Sequence, residues 1–203
     1  MITIIDYGLG NVRAFLNLYK RLNIPVRTAR TAEELEGSER VILPGVGAFD
    51  HAMELLDASG MRATLDRLVR AERVPVLGIC VGMQMLAERS NEGERAGLAY
   101  IPGEVRRFTP PADLPLPLPH MGWNDARPVA GHPLFAQLEQ LPRFYFLHSY
   151  YFACERADDV AAEADYGRTF ACAVSAGNVH GVQFHPEKSH RWGERLLQNF
   201  ASA

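Results

Sequence analysis

The first half of the chain alternates short apolar runs with segments in which apolar residues have a helical spacing. The apolar runs are ITIID, PVRT, VILPG and VPVLGI, and the helix-like segments extend from Asn11 to Leu22 and from Ala48 to Ala71. Runs of this length between turn residues are typical of buried strands. Alternating strands and helices predict a parallel sheet, which binds ligands beyond the carboxyl ends of its strands. Functional residues are therefore expected in the loops after Asp6, Leu43 and Ile79.

From about Pro102 the pattern changes to short strands with turn residues between them. The strand-like runs are EVRRF, HMGWNDARPV, RFYFLHSYYF, VAAEADYG, TFACAVS and NVHGVQF. Ser175 to Asn178 are typical of a hairpin turn, and Arg191 to Phe200 of a closing amphipathic helix. The proline-rich residues 110–119 form a stretch short enough for a surface loop. Together these patterns predict one α/β domain over residues 1–203, with a mixed, largely parallel central sheet flanked by helices and a strand-rich second half.

Composition narrows the possible function classes. The chain has 203 residues, 47% hydrophobic and 22% charged, with a formal net charge of -3 and no long run of one charge. These values are typical of a globular domain, and they do not indicate binding to nucleic acid or an anionic membrane. The start MITIIDYG enters a strand-like run without a basic leader, and no apolar stretch reaches about 18 residues. We therefore expect neither secretion nor membrane insertion.

The cysteines and histidines give no sign of a disulfide framework or a metal site. Cys80, Cys154 and Cys172 are an odd number without a CxxC spacing, which fits the reducing cytoplasm. The seven histidines show no metal-ligand pattern. We therefore expect a cytoplasmic protein without a metal or another cofactor.

The sharpest local motif is VPVLGICVGMQML, in which a strand-like run leads through Cys80 into a helical pattern. Gly78 and Gly82 stand two residues to either side of Cys80, where they allow a tight turn. This is the layout of a nucleophile elbow, and the positive end of a helix dipole favours the reactive thiolate. The alternative is an inert cysteine in the core.

A second motif, GVQFHPEK, lies near the C-terminus. In an extended segment, residues two apart point to the same side, so the Glu187 carboxylate can reach the His185 imidazole. Such a carboxylate fixes the tautomer of a catalytic base and stabilises its protonated form. The alternative is an ordinary strand end with a solvated carboxylate.

A third motif, VILPGVGAF, follows another strand end. Gly45 and Gly47 flank Val46, and the backbone amides of this segment are free to bind an oxyanion together with the amide of Val81. The alternative is a tight turn between strand and helix, where glycines are common.

The three motifs together resemble the class I glutamine amidotransferases, also called the triad family, over essentially the whole chain. The matching segments are PGVG, GICVGMQ and HPE. Within this family, IDYGLGN and PHMGWN are similar to the glutaminase subunits of imidazole glycerol phosphate synthases. The resemblance implies a flavodoxin-like α/β fold and hydrolysis of L-glutamine to glutamate and ammonia.

The resemblance also implies roles for individual residues. Cys80 attacks the side-chain amide carbon of glutamine, His185 protonates the departing ammonia, and Glu187 orients His185. Water then hydrolyses the thioester with His185 as the base. Contacts with glutamine are implied for Gln84, Glu92, Ser149 and Tyr150. Without the resemblance, Gln84 is a polar helix residue and HSYY an aromatic strand end.

The implied partner is the (β/α)₈ cyclase subunit of imidazole glycerol phosphate synthase. In a heterodimer, that subunit uses the ammonia to form imidazole glycerol phosphate and the aminoimidazole carboxamide ribonucleotide in histidine biosynthesis. Residues of the two subfamily segments are expected at the partner interface near the ammonia exit: Asn11, Met121, Trp123 and Asn124. The alternative for Trp123 is a core position. Low basal activity is expected, with PGVG as the switch, because a peptide flanked by glycines flips easily.

Three other functions stay open from the sequence. One is a glutaminase of the same family that serves anthranilate, aminodeoxychorismate or pyridoxal phosphate synthesis. Another is a flavodoxin-like binding or regulatory module, in which Cys80 is structural and the glycine loops hold a phosphate or flavin. The third is a cysteine peptidase or deglycase-like hydrolase, which turns over its substrate without a partner. Labelling by a glutamine-mimicking electrophile separates a glutaminase from a binding module.

Overall fold

The structure is a computed structural model that describes residues 1–109 and 116–202. The first half alternates strands and helices as predicted. Its elements are β1 (Ile2–Ile5), α1 (Val12–Arg21), β2 (Val26–Ala29), α2 (Ala32–Leu35), β3 (Arg40–Gly45), α3 (Phe49–Ala58), α4 (Arg62–Arg70), β4 (Val76–Cys80) and α5 (Val81–Gln84).

The second half contains strands and a closing helix. Its elements are β5 (Arg89–Ser90), β6 (Gly103–Arg107), β7 (His120–Asp125), β8 (Arg127–Pro128), β9 (Arg143–His148), β10 (Tyr150–Cys154), β11 (Val160–Asp165), β12 (Thr169–Ala176), β13 (Val179–Val182) and α6 (His190–Ser202). Most of the proline-rich segment predicted as a surface loop, residues 110–115, lies outside the described residues.

One large mixed sheet organises the fold. Its strands follow the order β2-β1-β3-β4-β13-β12-β10-β6-β5, with β11 and β8 paired off β12. The strands from β2 to β13 are parallel, and β12, β10 and β6 continue the sheet in antiparallel pairing. The predicted α/β class with a mixed central sheet flanked by helices is confirmed.

The helices bury residues at the spacing that their sequence predicts. In α1 the buried residues are Phe15, Leu18 and Tyr19, three and four positions apart. Buried positions of α3 and α4 follow the same spacing, which places one apolar face of each helix toward the core. Each fully buried large apolar side chain stabilises the fold by about 1.5–3 kcal/mol relative to an exposed one. The described residues include no helix long and apolar enough to cross a membrane.

The helical stretch predicted from Ala48 to Ala71 is divided into two helices, α3 and α4. Gly60 between them has a φ of +73°, a left-handed conformation that stops an α-helix. The Ser59 and Gly60 amides bond to the carbonyls of Leu55 and Asp57, which closes the last turn of α3.

The run RFYFLHSYYF forms two strands that belong to two different sheets. The first, β9, pairs with β7 in a separate two-stranded antiparallel sheet, with His120 opposite His148. The second, β10, joins the central sheet between β12 and β6. The chain changes sheet at Ser149, and this residue lines a pocket that also contains Cys80. The predicted hairpin and closing helix are both present, as the β12–β13 turn at Gly177 and as α6.

Three glycines allow β3, β4 and α5 to pack at main-chain distance. A Cβ atom on Gly82 would lie 1.9 Å from the Leu43 carbonyl oxygen. Cβ atoms on Gly45 and Gly78 would lie 2.4 and 2.5 Å from the main chain of Gly82. Side chains at these positions would therefore force the strands and the helix apart.

We expect Gly82→Ala to lower the free energy of unfolding by about 3 kcal/mol, because the new methyl group overlaps a carbonyl that cannot move freely. The measurement is urea denaturation followed by circular dichroism. Gly131→Ala is the control, since a Cβ there meets open space and only the φ of +76° is unfavourable. Equal losses in the two variants would contradict the proposed close packing.

Candidate active site

Cys80 lies at the junction of β4 and α5, in the predicted strand–elbow–helix layout. Its φ is +56° and its ψ is -111°, a conformation that residues other than glycine rarely adopt. Such a conformation costs about 1–3 kcal/mol and persists only where the surrounding structure holds it. The sharp turn places the Cys80 side chain in the wall of a pocket at the carboxyl ends of the parallel strands.

His185 reaches the same pocket from the end of β13, the strand beside β4. Val182 pairs with Ile79, so the two chains leave the sheet next to each other. The Nδ1 atom of His185 is 3.0 Å from Oε1 of Glu187, and the two side chains are 5% and 3% exposed. The predicted contact is present, although Glu187 lies in a 3₁₀ turn, Pro186–Lys188, rather than in an extended segment.

The surroundings of His185 favour its protonated form. Burial acts to lower the pKa of His185, but hydrogen bonds with Cys80 and Glu187, and the negative charges of these groups, raise it to about 10. The imidazolium is therefore stabilised by the two groups that flank it, Cys80 and Glu187. Among the described residues, the Oε2 atom of Glu187 has no hydrogen-bond partner.

Main-chain contacts hold His185 in place. Its amide donates to the Tyr145 carbonyl at 2.8 Å. The hydroxyl of Ser189 donates to the His185 carbonyl at 2.6 Å and accepts from the Tyr145 amide at 3.0 Å. Because Ser189 is fully buried, these bonds do not compete with water.

The pocket has a volume of about 280 Å³. It brings together predicted site residues from five separate segments of the chain. Those that line it are Val46, Gly47, Cys80, Val81, Gln84, Glu92, Ser149, Tyr150 and His185. Gly45 and Glu187 do not line the pocket. Gly45 is the last residue of β3, next to Val46 in the sequence, and Glu187 contacts the His185 imidazole.

Hydrogen bonds from other segments of the chain hold both ends of the loop after β3. The Tyr7 hydroxyl donates to the Pro44 carbonyl at 2.7 Å, which ties the IDYG segment to the start of the loop. The Glu92 carboxylate accepts from the Phe49 amide at 2.9 Å, at the first turn of α3. Between these points, Val46 is 39% exposed and Gly47 has a φ of +86°.

Two amide side chains meet beside Cys80, one of which, Gln84, lines the pocket. The Nε2 atom of Gln84 is 3.1 Å from Oε1 of Gln183 and 3.4 Å from the Tyr150 carbonyl oxygen. The Nε2 atom of Gln183 is 3.7 Å from Sγ of Cys80. Gln84 therefore connects the predicted glutamine-binding segment to a residue beneath the nucleophile position.

Of the residues expected at a partner interface, none lines the pocket. Met121 and Trp123 project from β7 with exposed fractions of 65% and 39%. The alternative that Trp123 occupies a core position is therefore wrong. The Asn124 side chain instead faces inward and donates to the Asp165 carbonyl at 2.9 Å. Asn11 is exposed at the start of α1, and its side chain makes no capping bond there.

Sequence reasoning missed several residues of the site. Pro119, Leu147, His148 and Lys188 also line the pocket, and Gln183 lies under Cys80. The strand alternation in GVQFHPE places Gln183 on the same face as His185, so this signal was available. Leu147 and His148 enter the pocket through the long-range pairing of β7 with β9, which the local sequence does not reveal.

Comparisons with known proteins agree with this geometry. The family "Glutamine amidotransferase class-I" matches residues 3–203. A protein of Bdellovibrio bacteriovorus named imidazole glycerol phosphate synthase subunit HisH is 59% identical, over 99% of both chains. A HisH protein of Leptospira interrogans is 49% identical over the full length of both. The chain belongs to the HisH family of class I glutamine amidotransferases.

A solved structure supports the fold of this HisH family member. A crystal structure of a glutamine amidotransferase covers 100% of this chain and 99% of its own with a TM-score of 0.77, at 22% identity. That likeness shows a shared fold.

The described residues of the chain contain no group of three or more histidines, cysteines or acidic residues that could hold a metal ion.

We expect iodoacetamide to modify Cys80 alone in the native HisH family member. Burial raises the pKa of Cys154 to about 12 and also raises the pKa of the fully buried Cys172, which suppresses their reactive thiolates at neutral pH. Mass spectrometry of the intact protein and its peptides measures the modification. Protein unfolded in denaturant is the control and should react at all three cysteines. Faster modification of Cys154 or Cys172 than of Cys80 in the native protein would contradict this expectation.

Proposed function

We propose that this chain is a glutaminase that hydrolyses L-glutamine to glutamate and ammonia through a cysteinyl thioester. The observation that carries the proposal is the convergence of Cys80, His185 and Glu187 at one pocket, with Cys80 in an elbow and a buried carboxylate behind the imidazole. A nucleophile, a base and an orienting group in this arrangement perform acyl transfer.

The reaction begins when the Cys80 thiolate attacks the side-chain amide carbon of glutamine. The backbone amides near Val46 and Val81 stabilise the oxyanion of the tetrahedral intermediate. Protonated His185 gives its proton to the departing nitrogen, which leaves as ammonia, and the γ-glutamyl group stays bound to sulfur. His185 then takes a proton from water, which attacks the thioester, and glutamate leaves as the thiolate forms again.

The pocket fits an amino acid substrate with a terminal amide. We assign the contacts with glutamine to Gln84, Glu92 and the main chain at Ser149 and Tyr150, all of which line the pocket. The Glu92 carboxylate has the charge that the ammonium group of glutamine requires. The same carboxylate bonds to the Phe49 amide, so substrate binding is coupled to the position of the loop after β3.

We also propose that the ammonia passes to the (β/α)₈ cyclase subunit of imidazole glycerol phosphate synthase, in a heterodimer. The names of the full-length relatives support a partner subunit. The exposed Met121 and Trp123 supply an apolar contact area on β7, and aromatic residues of this kind are frequent interface anchors. A reducing cytoplasm is the proposed location, since Cys80 must stay free for the reaction and all three cysteines are unpaired.

The function is tested by measuring glutamate release from L-glutamine, first with the purified chain and then with the cyclase subunit and its nucleotide ligand. We expect low activity alone and strong stimulation by the partner. Cys80→Ala should lower turnover by at least about 10³-fold, because no other group can form the thioester. Cys154→Ser is the matched control and should keep normal activity.

The two parts of this proposal fail in different ways. Glutamate release without any effect of the cyclase subunit would leave the glutaminase in place and show that the partner is wrong. No glutamate release with or without the partner would show that the glutaminase assignment is wrong.

We expect Glu187→Gln to lower kcat by about 10²- to 10⁴-fold with a small change in KM, because an amide cannot stabilise the imidazolium of His185 as a carboxylate does. Steady-state kinetics of the stimulated complex measure both constants. The control is Glu163→Gln on the exposed side of β11. A normal kcat in Glu187→Gln would show that the carboxylate has no part in the reaction.

We expect Trp123→Ala to weaken binding of the cyclase subunit by about tenfold, because the substitution removes an exposed aromatic side chain supported by His190 and Trp192. Isothermal titration calorimetry measures the Kd. Leu141→Ala is the control, since Leu141 is 53% exposed outside β7 and α1. Equal affinity of the Trp123→Ala and Leu141→Ala proteins would contradict an interface at β7.

A further inference from the structure

Gln183 is a buried amide directly beneath the reactive cysteine. It follows the last residue of β13 and is 0% exposed. Its backbone amide donates to the Cys172 carbonyl at 2.9 Å, which fixes the main chain at this position. The side chain touches two polar groups, Sγ of Cys80 at 3.7 Å and Nε2 of Gln84 at 3.1 Å.

The orientation of the Gln183 amide follows from a carbonyl group nearby. The Tyr150 carbonyl can only accept hydrogen bonds, so the group of Gln84 that faces it at 3.4 Å is the NH₂ group. The same NH₂ group faces the Gln183 side chain, which must then present its oxygen. The NH₂ group of Gln183 is therefore directed at Cys80, and turning it over would place two donors against each other.

A second donor keeps the Tyr150 carbonyl in place. The Nδ1 atom of His148 is 2.7 Å from this oxygen, and Nε2 of His148 is 2.9 Å from Nδ1 of His120. Burial lowers the pKa of His148 to about 3 and that of His120 to about 4, so both rings are neutral near pH 7. Neutral His148 carries its proton on Nδ1, toward the carbonyl, and its bare Nε2 accepts from His120.

The two protonation states of Cys80 use different partners. As a thiol, Cys80 can donate to the Leu147 carbonyl, whose oxygen is 3.8 Å from Sγ. As a thiolate it has no proton to donate, and it can accept from the NH₂ group of Gln183. The Gln183 contact therefore becomes stronger in the ionised state, because hydrogen bonds to charged groups are stronger than neutral ones.

We propose that Gln183 is a further catalytic residue, which stabilises the Cys80 thiolate by donating a hydrogen bond from its side-chain amide. Its contribution adds to that of His185, which approaches Cys80 from the pocket side. Gln84 sets the direction of the donor, and Tyr150 sets the direction of Gln84. The importance of this thiolate for turnover rests on the proposed glutaminase function, whereas the hydrogen bond itself does not.

Other ionisable groups also face the cysteine, and they are the same in every variant compared below. They come from the segments after β1 and β5, from the end of β9 and from the turn after β13. These groups are Tyr7, Glu92, His148, His185 and Lys188. A difference between wild type and a Gln183 variant therefore reports the amide at position 183.

The test is the pH profile of Cys80 alkylation by iodoacetamide, measured on the full chain with Cys80→Ala as the blank. In Gln183→Met, which keeps the length of the side chain but has no donor, we expect the midpoint of the profile to rise by about one pH unit. The alkylation rate below the midpoint should fall by up to about tenfold. The ultraviolet absorbance of the thiolate gives an independent reading of the same shift.

Gln183→Leu is the second variant, in case the methionine side chain does not pack. Circular dichroism and urea denaturation establish which of the two variants is folded. An unchanged midpoint in a folded variant would overturn the proposal, and a merely structural role of Gln183 predicts this result. Alkylation needs no glutamine turnover, so a wild-type protein without glutaminase activity would refute the proposed function and leave this titration readable.

Discussion

The main-chain contact between the elbow and the loop after β3 is the constraint on which the site depends. Cys80 has a positive φ at the point where α5 packs closely against β3, with Gly82 against the Leu43 carbonyl. This contact places the amide of Val81 beside the loop that contains Val46. A larger residue at Gly82 would move both amides relative to the sulfur. The proposed oxyanion-binding amides and the proposed nucleophile therefore depend on the same packing contact.

Strand order supplies the rest of the site. β13 is the last strand in sequence, but in the sheet it lies directly beside β4 and parallel to it. Cys80 and His185 are therefore adjacent although they are 105 positions apart in the sequence, since β4 ends at Cys80 and β13 ends three residues before His185 at the same edge of the sheet. The turn after His185 returns Glu187 to the imidazole, and Ser189 locks that turn to β9. Glu187 and His185 are thus positioned by backbone bonds as well as by their own contact.

Local sequence patterns predicted the elements whose conformation depends on residues close to them in the sequence. The strand and glycine signals around Cys80 and the HPE motif were enough to predict three residues that the structure brings together at one pocket. The break at Gly60 was missed because the apolar spacing continues through it, while a left-handed glycine ends the helix. The change of sheet at Ser149 was missed because both halves of RFYFLHSYYF have the same strand-like composition. Partner strands far away in sequence decide that division, and no local pattern records them.

The three histidines around the pocket show that burial alone does not decide the charge of a side chain. His120 and His148 are buried against aromatic rings and against each other, and their pKa values fall to about 4 and about 3. His185 is also buried, yet its pKa rises to about 10, because Cys80 and Glu187 supply negative charge at hydrogen-bond distance. The neutral pair can therefore serve as a fixed chain of donors and acceptors around the Tyr150 carbonyl, while His185 keeps a transferable proton. The arrangement of partners separates these roles among residues of the same type.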